Sequence, residues 1–308
     1  LKYWLDRKND AQFKITHIND DFFKIEDVIN ILQNDAYVSF KDYKITIKDN
    51  NIIFLSNNGV ETVIEYTNKP KMEIPWIGKP NILLECSGKS TVSKDCEFYL
   101  TGNTKSVAIS ATSWDAKTVV YGFNHLDYNK DMKVISYGSC TVNAYVPLAN
   151  WLNEKYGVVD SDANFIHNIP EYKLKDFNTL QRKFCTLEKS GPNLLDFINK
   201  NNFTVNYSVV PYAGVSMLDF RFKLEKNISK EEIIEDLDKT FLNGGLKSLY
   251  CLHNTDNGPE EHKFTSYSAV FIKNNIRLIN NNLYLHGYFD NENSVNRYFD
   301  VINHVAVN

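Results

Sequence analysis

The chain has no Cys-x-x-Cys pair and no His-x-x-x-His, and its cysteines (Cys86, Cys96, Cys140, Cys185 and Cys251) are odd in number. Those absences exclude a stapled disulfide framework and a structural zinc site of familiar spacing, so no metal is expected. No apolar run approaches the roughly 18 residues of a membrane-spanning helix. The opening Leu1-Lys2-Tyr3-Trp4-Leu5-Asp6 lacks the organisation of a signal peptide. Nor is there an excess of positive charge. Lys and Arg number 34 against 38 Asp and Glu, for a formal net charge of −4, which removes the electrostatic footprint of a nucleic-acid or anionic-membrane binder. The chain shows no internal repeat. A reducing cytoplasm is the expected compartment.

What is present describes an ordinary globular chain, 43% hydrophobic and 23% charged, whose 308 residues predict two domains. The first half alternates strands and helices. It reads as a strand over 13–18, a short helix over 26–32, a hairpin of 43–47 and 52–55, buried strands at 81–84 and 106–109, and a helical segment over 90–100 between them. That order predicts an α/β fold with a doubly wound, mostly parallel sheet, which binds ligands beyond the carboxyl ends of its strands. The second half differs. Leu218, Phe220, Phe222 and Leu224 alternate with Asp219, Arg221, Lys223 and Glu225, as in a half-buried antiparallel strand. Ser229 with Glu232 forms a capping box before a helix, further strands fall at 267–272 and 282–288, and a closing helix covers 293–305.

The most informative stretch is Gly138-Ser139-Cys140-Thr141-Val142-Asn143. It follows the strand-like Val134-Ile135-Ser136-Tyr137 and precedes a helical pattern that stops at Gly157. The spacing puts Ser139 at the N-cap and Cys140 in the first turn, where unpaired N–H groups and the helix dipole favour a thiolate. Pro147 should remove a bond from this helix and kink it. The alternative is a small buried cysteine behind a serine cap. Asp20 stands just past a strand end, either as a turn residue or as a ribose-binding carboxylate. His167 is a candidate base or a structural histidine, and Asn291 in Tyr288-Phe289-Asp290-Asn291-Glu292 is an Asx cap or a carboxamide-binding side chain.

Taken in order, these pieces resemble the glyceraldehyde-3-phosphate dehydrogenase family over nearly the whole chain. Ile18-Asn19-Asp20 looks like its ribose-binding strand end, Glu85-Cys86-Ser87-Gly88 like its Glu-Ser-Thr-Gly turn, and Ile109-Ser110-Ala111 and Gly122-Phe123-Asn124-His125 like Ile-Ser-Ala-Pro and Gly-Val-Asn-His. Ser139 to Asn143 is similar to Ser-Cys-Thr-Thr-Asn, and Asp290-Asn291-Glu292 with Asn296-Arg297 to the C-terminal nicotinamide-binding signature. The resemblance implies a Rossmann-type NAD-binding domain over 1–139 with 291–308. It also implies an α+β catalytic domain with a mostly antiparallel sheet over 140–290. It further implies Cys140 as nucleophile, His167 as base, and NAD held by Asn19, Asp20, Ser87, Gly88, Ser110 and Asn291. Ser139, Thr141 and Ser190 would surround inorganic phosphate. The activity implied is oxidation of an aldehyde through a thiohemiacetal and thioester, in a homotetramer.

The departures concern the substrate. Where the family binds the substrate's phosphate with two threonines and an arginine, this chain has Pro170, Tyr172 and Val209. The segment between His167 and Gly191 is shortened, and Lys173, Arg182 or Lys183 are the cations left to compensate. The second cysteine common four residues after the nucleophile is Ala144. The expected substrate is an unusual or less phosphorylated aldehyde, with phosphate or water as acyl acceptor. The alternatives are the ordinary phosphorylating activity with a rebuilt pocket, or a non-catalytic nucleotide- or partner-binding relative. Leu1 falls inside the first helix of the family pattern, so an upstream segment with the first strand and Gly-rich turn is expected.

Overall fold

The computed structural model describes residues 1–35, 39–169, 181–211, 214–291 and 294–308. Two compact units emerge: Leu1–Thr118 with Tyr128–Ser136 and Ile302–Asn308, and Val119–Asp127 with Tyr137–Val301. The fold is α/β, combining a parallel sheet with a larger, mostly antiparallel one.

The first unit opens with α1 (Lys2–Asp6), β1 (His17–Asn19), α2 (Ile25–Asn34), β2 (Tyr43–Lys48), β3 (Asn51–Ser56) and β4 (Glu61–Thr67). These strands form a sheet of order β1-β4-β3-β2, with β1 parallel to β4 and the rest antiparallel. The expected hairpin is β2–β3. Its two turn residues, Asp49 and Asn50, hold φ of 50° and 61°, the left-handed pair that a tight hairpin demands and that Asp and Asn tolerate. β4 escaped the sequence reading because its buried face, Thr62, Ile64 and Tyr66, mixes polar and apolar residues while Val63 is exposed.

The second sheet of this unit contains β5 (Ile82–Glu85), β6 (Ser106–Ile109), β7 (Lys117–Thr118) and β8 (Val134–Ser136), all parallel, in the order β5-β6-β8-β7. The segment read as a helix over 90–100 is only α3 (Ser93–Cys96) and a 3-10 turn, Glu97–Tyr99. The helix cannot begin sooner because the N–H of Ser93 is held by the Asp115 carboxylate at 2.9 and 3.0 Å.

The other unit begins with α4 (Cys140–Tyr156), β9 (Val158–Asn168), α5 (Leu187–Leu194), β10 (Phe203–Val210) and β11 (Val215–Leu224). It continues with α6 (Lys230–Leu242), β12 (Tyr250–His253), β13 (Ala269–Ile272), β14 (Arg277–Ile279) and β15 (Asn282–Asp290), and α7 (Ser294–Val307), which belongs to this unit up to Val301 and to the first unit from Ile302, closes the chain. Its seven-stranded sheet runs β10-β9-β11-β15-β13-β12, with β14 also on β15. Only β10/β9 and β12/β13 are parallel.

Leu218, Phe220, Phe222 and Leu224 bury one face of β11, as their alternation predicts, while Arg221 on the other face pairs with Asp160 at 2.6 Å. α4 lies on the buried face and is itself buried nearly all round. Tyr145 from α4 sits among Phe203, Phe220 and Phe222, with ring centroids 5.2 to 5.5 Å away. Its hydroxyl is bonded to Ser161 at 2.6 Å, so the polar tip of this core ring is satisfied.

Pro147 does not end α4. A proline there has no N–H for the Asn143 carbonyl, but the Tyr250 hydroxyl enters the helix at that turn. It lies 3.3 Å from the Asn143 carbonyl and 3.0 Å from that of Ala144, and it accepts from the N–H of Leu148 at 3.2 Å. One phenol thus repairs the ladder from both sides.

Candidate active site

The reactive stretch is built by a turn and a cap. Gly138, at φ +89°, takes a conformation that an L side chain resists. Ser139 is then extended and caps α4, its Oγ accepting from the N–H of Val142 at 3.3 Å. Asn143 fastens the turn, donating through Nδ2 to the carbonyls of Tyr137 (3.0 Å) and Ser139 (2.9 Å). Cys140 therefore occupies the first position of α4 and keeps a partly exposed face.

His167 is the penultimate residue of β9, and its Nε2 lies 3.4 Å from Cys140 Sγ. Its Nδ1 is 2.6 Å from the carbonyl oxygen of Asn168. A carbonyl can only accept, so Nδ1 carries the proton and the Nε2 lone pair faces the sulfur. Burial depresses the imidazole's basicity below its ordinary 6.5, opposed in part by that carbonyl. Burial also pushes the Cys140 thiol up to about 12, with Cys185 adding to the rise. The N–H groups of Cys140 and Thr141 act in the opposite direction and do not prevail. The helix start was expected to favour a thiolate, and burial acts against it. With Nδ1 protonated, Nε2 is placed to accept from the thiol.

Asn291 follows β15 and joins this site through Asn168. Its Nδ2 faces the main-chain oxygen of Asn168 at 3.2 Å and also bonds to the side-chain Oδ1 of Asn168. Its Oδ1 accepts from Ser216 Oγ at 2.6 Å, and Ser216 Oγ accepts the N–H of Asn168 at 3.0 Å. Both amide hydrogens are therefore committed to Asn168, and the side chain offers acceptor capacity on Oδ1. The sequence reading did not single out Asn168 or Ser216, because their polar partners come from other strands.

A chain of hydroxyls lies at the start of α4. Ser139 Oγ is 3.2 Å from Thr141 Oγ1 and 2.9 Å from Thr186 Oγ1, and Cys185 Sγ donates to Thr141 Oγ1 at 3.5 Å. Thr186 takes the place expected for Ser190, which is buried one turn further along in α5 and is not a member of this chain. In the shortened segment before α5 the register could not be read from sequence.

Val209 pairs in register with His167, so the two side chains share a face of the sheet, and Val209 is 2% exposed. Pro170, Tyr172 and Lys173 lie outside the described residues. Arg182 is engaged by Glu188 and by the carbonyl of Val205, both at 2.8 Å, and Lys183 Nζ by Gln181 at 3.2 Å.

The remaining candidates lie in the first unit. Asp20 directly follows β1, and its Oδ1 takes the N–H groups of Phe22 (2.8 Å) and Phe23 (2.9 Å). Asn19 is spent on the fold, its carboxamide bonding to Thr67 at 2.8 Å and to both main-chain groups of Lys69. Ser87 donates its N–H to Glu85 at 2.8 Å just after β5. Gly88 holds φ +70° with open space where a Cβ would sit. Ser110 follows β6, its N–H on the Glu85 carbonyl at 2.9 Å. A carboxylate, an open glycine turn and hydroxyls at the carboxyl ends of parallel strands form a donor set that fits a dinucleotide. Among the described residues there is no cluster of three or more His, Cys, Asp or Glu able to hold a metal, and no helix long and apolar enough to cross a membrane.

No family model matches the chain. Individual proteins do. Glyceraldehyde-3-phosphate dehydrogenase 1 of Giardia intestinalis is 30% identical over 296 residues, covering 91% of this chain and 86% of that protein. The glyceraldehyde-3-phosphate dehydrogenase of Sclerotinia sclerotiorum is 29% identical over 294 residues, 90% of this chain and 85% of its own length. The cytosolic glyceraldehyde-3-phosphate dehydrogenase 3 of Zea mays is 27% identical over 312 residues, 95% and 90% respectively.

Proposed function

The chain belongs to the glyceraldehyde-3-phosphate dehydrogenase family, and from that premise we propose that it oxidises an aldehyde with NAD through a thioester on Cys140. The observation that carries this reading is the 3.4 Å approach of Cys140 Sγ to an imidazole nitrogen whose lone pair is directed at it. As the sulfur adds to the aldehyde carbon, the S–H proton passes to His167 Nε2. The oxygen of the hemithioacetal gains charge in this step. The N–H of Cys140, at the start of α4, and the new imidazolium can donate to it. NAD, when bound, supplies the hydride acceptor that turns the hemithioacetal into a thioester. His167 Nε2, having first passed the S–H proton to the hemithioacetal oxygen and so become neutral again, accepts that hydroxyl proton as the hydride departs.

For the cofactor, Asn291 Oδ1 would accept from a nicotinamide amide, and Asp20 would accept from ribose hydroxyls while repelling a 2′-phosphate. Ser87, Gly88 and Ser110 would line the remainder, whereas Asn19 would act by holding the strand end in shape. The hydroxyl chain of Ser139, Thr141 and Thr186 supports inorganic phosphate as the group that attacks the thioester. Val209 beside His167 supports an altered substrate-phosphate site, since a branched alkyl group stands where a guanidinium would have to pair with the phosphate. Each charge-assisted hydrogen bond lost there costs about 1.5–3 kcal/mol. A homotetramer in the cytosol accords with the family.

Cys140→Ala is expected to abolish aldehyde-dependent NADH formation while the circular dichroism spectrum stays unchanged. Persisting turnover in that variant would remove the nucleophile from the scheme. A large preference for glyceraldehyde 3-phosphate over glyceraldehyde would instead favour the ordinary glycolytic reaction with a rebuilt pocket.

A further inference from the structure

Three apolar side chains surround the imidazole of the candidate pair. Phe289 lies 5.7 Å from it at 65°, Tyr207 lies 5.5 Å from it at 44°, and Val209 is its in-register neighbour on β10. Phe289 and Val209 are 1% and 2% exposed, so neither presents surface to a bound molecule. Tyr207 is only half-buried. It stands on the same face of β10 as Val209, two residues earlier, and pairs with Phe165 of β9. Burial pushes its phenol up, and the neighbouring Cys140 and Cys185 sulfurs add to the rise. The guanidinium of Arg182 is held by Glu188 and the Val205 carbonyl.

We propose that Tyr207 is a specificity-determining residue whose ring packs on the carbon chain of a short, uncharged aldehyde held at Cys140. This rests on the aldehyde-oxidising function proposed above and adds the class of substrate. An aliphatic chain against an aromatic face buries apolar surface on both partners. A phosphate dianion in the same place would meet the negative face of the ring and the alkyl wall of Val209, losing part of its hydration against them.

The test compares propanal with glyceraldehyde 3-phosphate on the full chain, with NAD and inorganic phosphate, in wild type, Tyr207→Ala and Tyr207→Phe. Wild type is expected to show the higher kcat/KM for propanal. Tyr207→Ala should lower that value about tenfold, chiefly through KM, while leaving the phosphorylated aldehyde no worse; removing one packed ring is worth roughly that factor. Tyr207→Phe, which keeps the ring, should stay close to wild type on propanal. The rate of Cys140 alkylation by iodoacetamide, unchanged across the three proteins, reports that the sulfur–imidazole pair is intact. Turnover with equal losses on both aldehydes, or with no loss in Tyr207→Ala, overturns the role of Tyr207 alone. Failure of wild type to form NADH or acylate Cys140 with either aldehyde overturns the proposed function and this inference with it.

Discussion

At the scale of single residues, the resting charge of the sulfur–imidazole pair governs the chemistry. His167 acts as base only when neutral, and burial lowers its proton affinity below the ordinary 6.5. The sign follows: the competent form persists as pH falls past 6.5 and is lost only when pH drops through the depressed value. The acid limb of the kcat/KM profile is therefore expected below pH 6.5, and a limb at or above that value would contradict the assignment of His167 as base. A thiol raised to about 12 adds a second signature in the free protein. Alkylation of Cys140 should keep accelerating through pH 9 instead of reaching a plateau near neutrality, because the thiolate fraction is still growing there.

Among the elements, α4 and the β11–β15 pair each make a measurable claim. The Tyr250 hydroxyl serves two carbonyls and one N–H around Pro147. Tyr250→Phe keeps the ring packing but leaves those buried backbone groups unpaired, so it should cost about 1–3 kcal/mol in urea unfolding. A neutral effect would mean that the helix does not depend on the phenol. On the sheet, His286 of β15 stands between Asp219 of β11 at 2.9 Å and Asp256 of the loop after β12 at 3.3 Å, with the Tyr288 ring beside it. The bond to Asp219 leads in raising its proton affinity, against burial, and both carboxylate charges add to the rise. A raised folded value means stabilisation fully present below the unfolded value and lost as pH climbs through the folded one. His286→Gln should therefore destabilise by about 1 kcal/mol at pH 6 and by less at pH 9, since these carboxylates are partly solvated. A loss equal at both pH values would show that charge is not involved.

For the molecule as a whole, the testable quantity is linkage between cofactor and stability. A ligand that binds only the folded state stabilises it by RT ln(1 + [L]/Kd), about 2.7 kcal/mol at a hundredfold excess over Kd. NAD should raise the melting temperature in a concentration-dependent way, and NADP at equal concentration should raise it less, because the Asp20 carboxylate opposes a 2′-phosphate. Equal shifts would argue that Asp20 is only the turn residue that caps Phe22 and Phe23. With two compact units, the first holding two sheets and the other one, unfolding is best followed by more than one probe, because separate units can unfold in separate steps.

The sequence alone determined whatever depends on neighbours within a turn or two. The Ser139 cap and the stop at Gly157 bound α4, both halves of the Ser229–Glu232 capping box are formed, and the alternation in β11 puts Leu218 to Leu224 inward. Cap geometry and period are set locally, so they could be read in advance, and the family motifs nominated Cys140 and His167. The tertiary structure decided the rest. Ser216 meets Asn291 across 75 positions and Asn291 meets Asn168 across 123, and only strand pairing brings such residues together. Thr186 displaces Ser190 in the hydroxyl chain because the path of the chain before α5 sets which side chain reaches Ser139. The electrostatics at Cys140 divide in the same way. The helix start that favours a thiolate is local and legible, whereas the desolvation that opposes it sums over every atom packed around the sulfur.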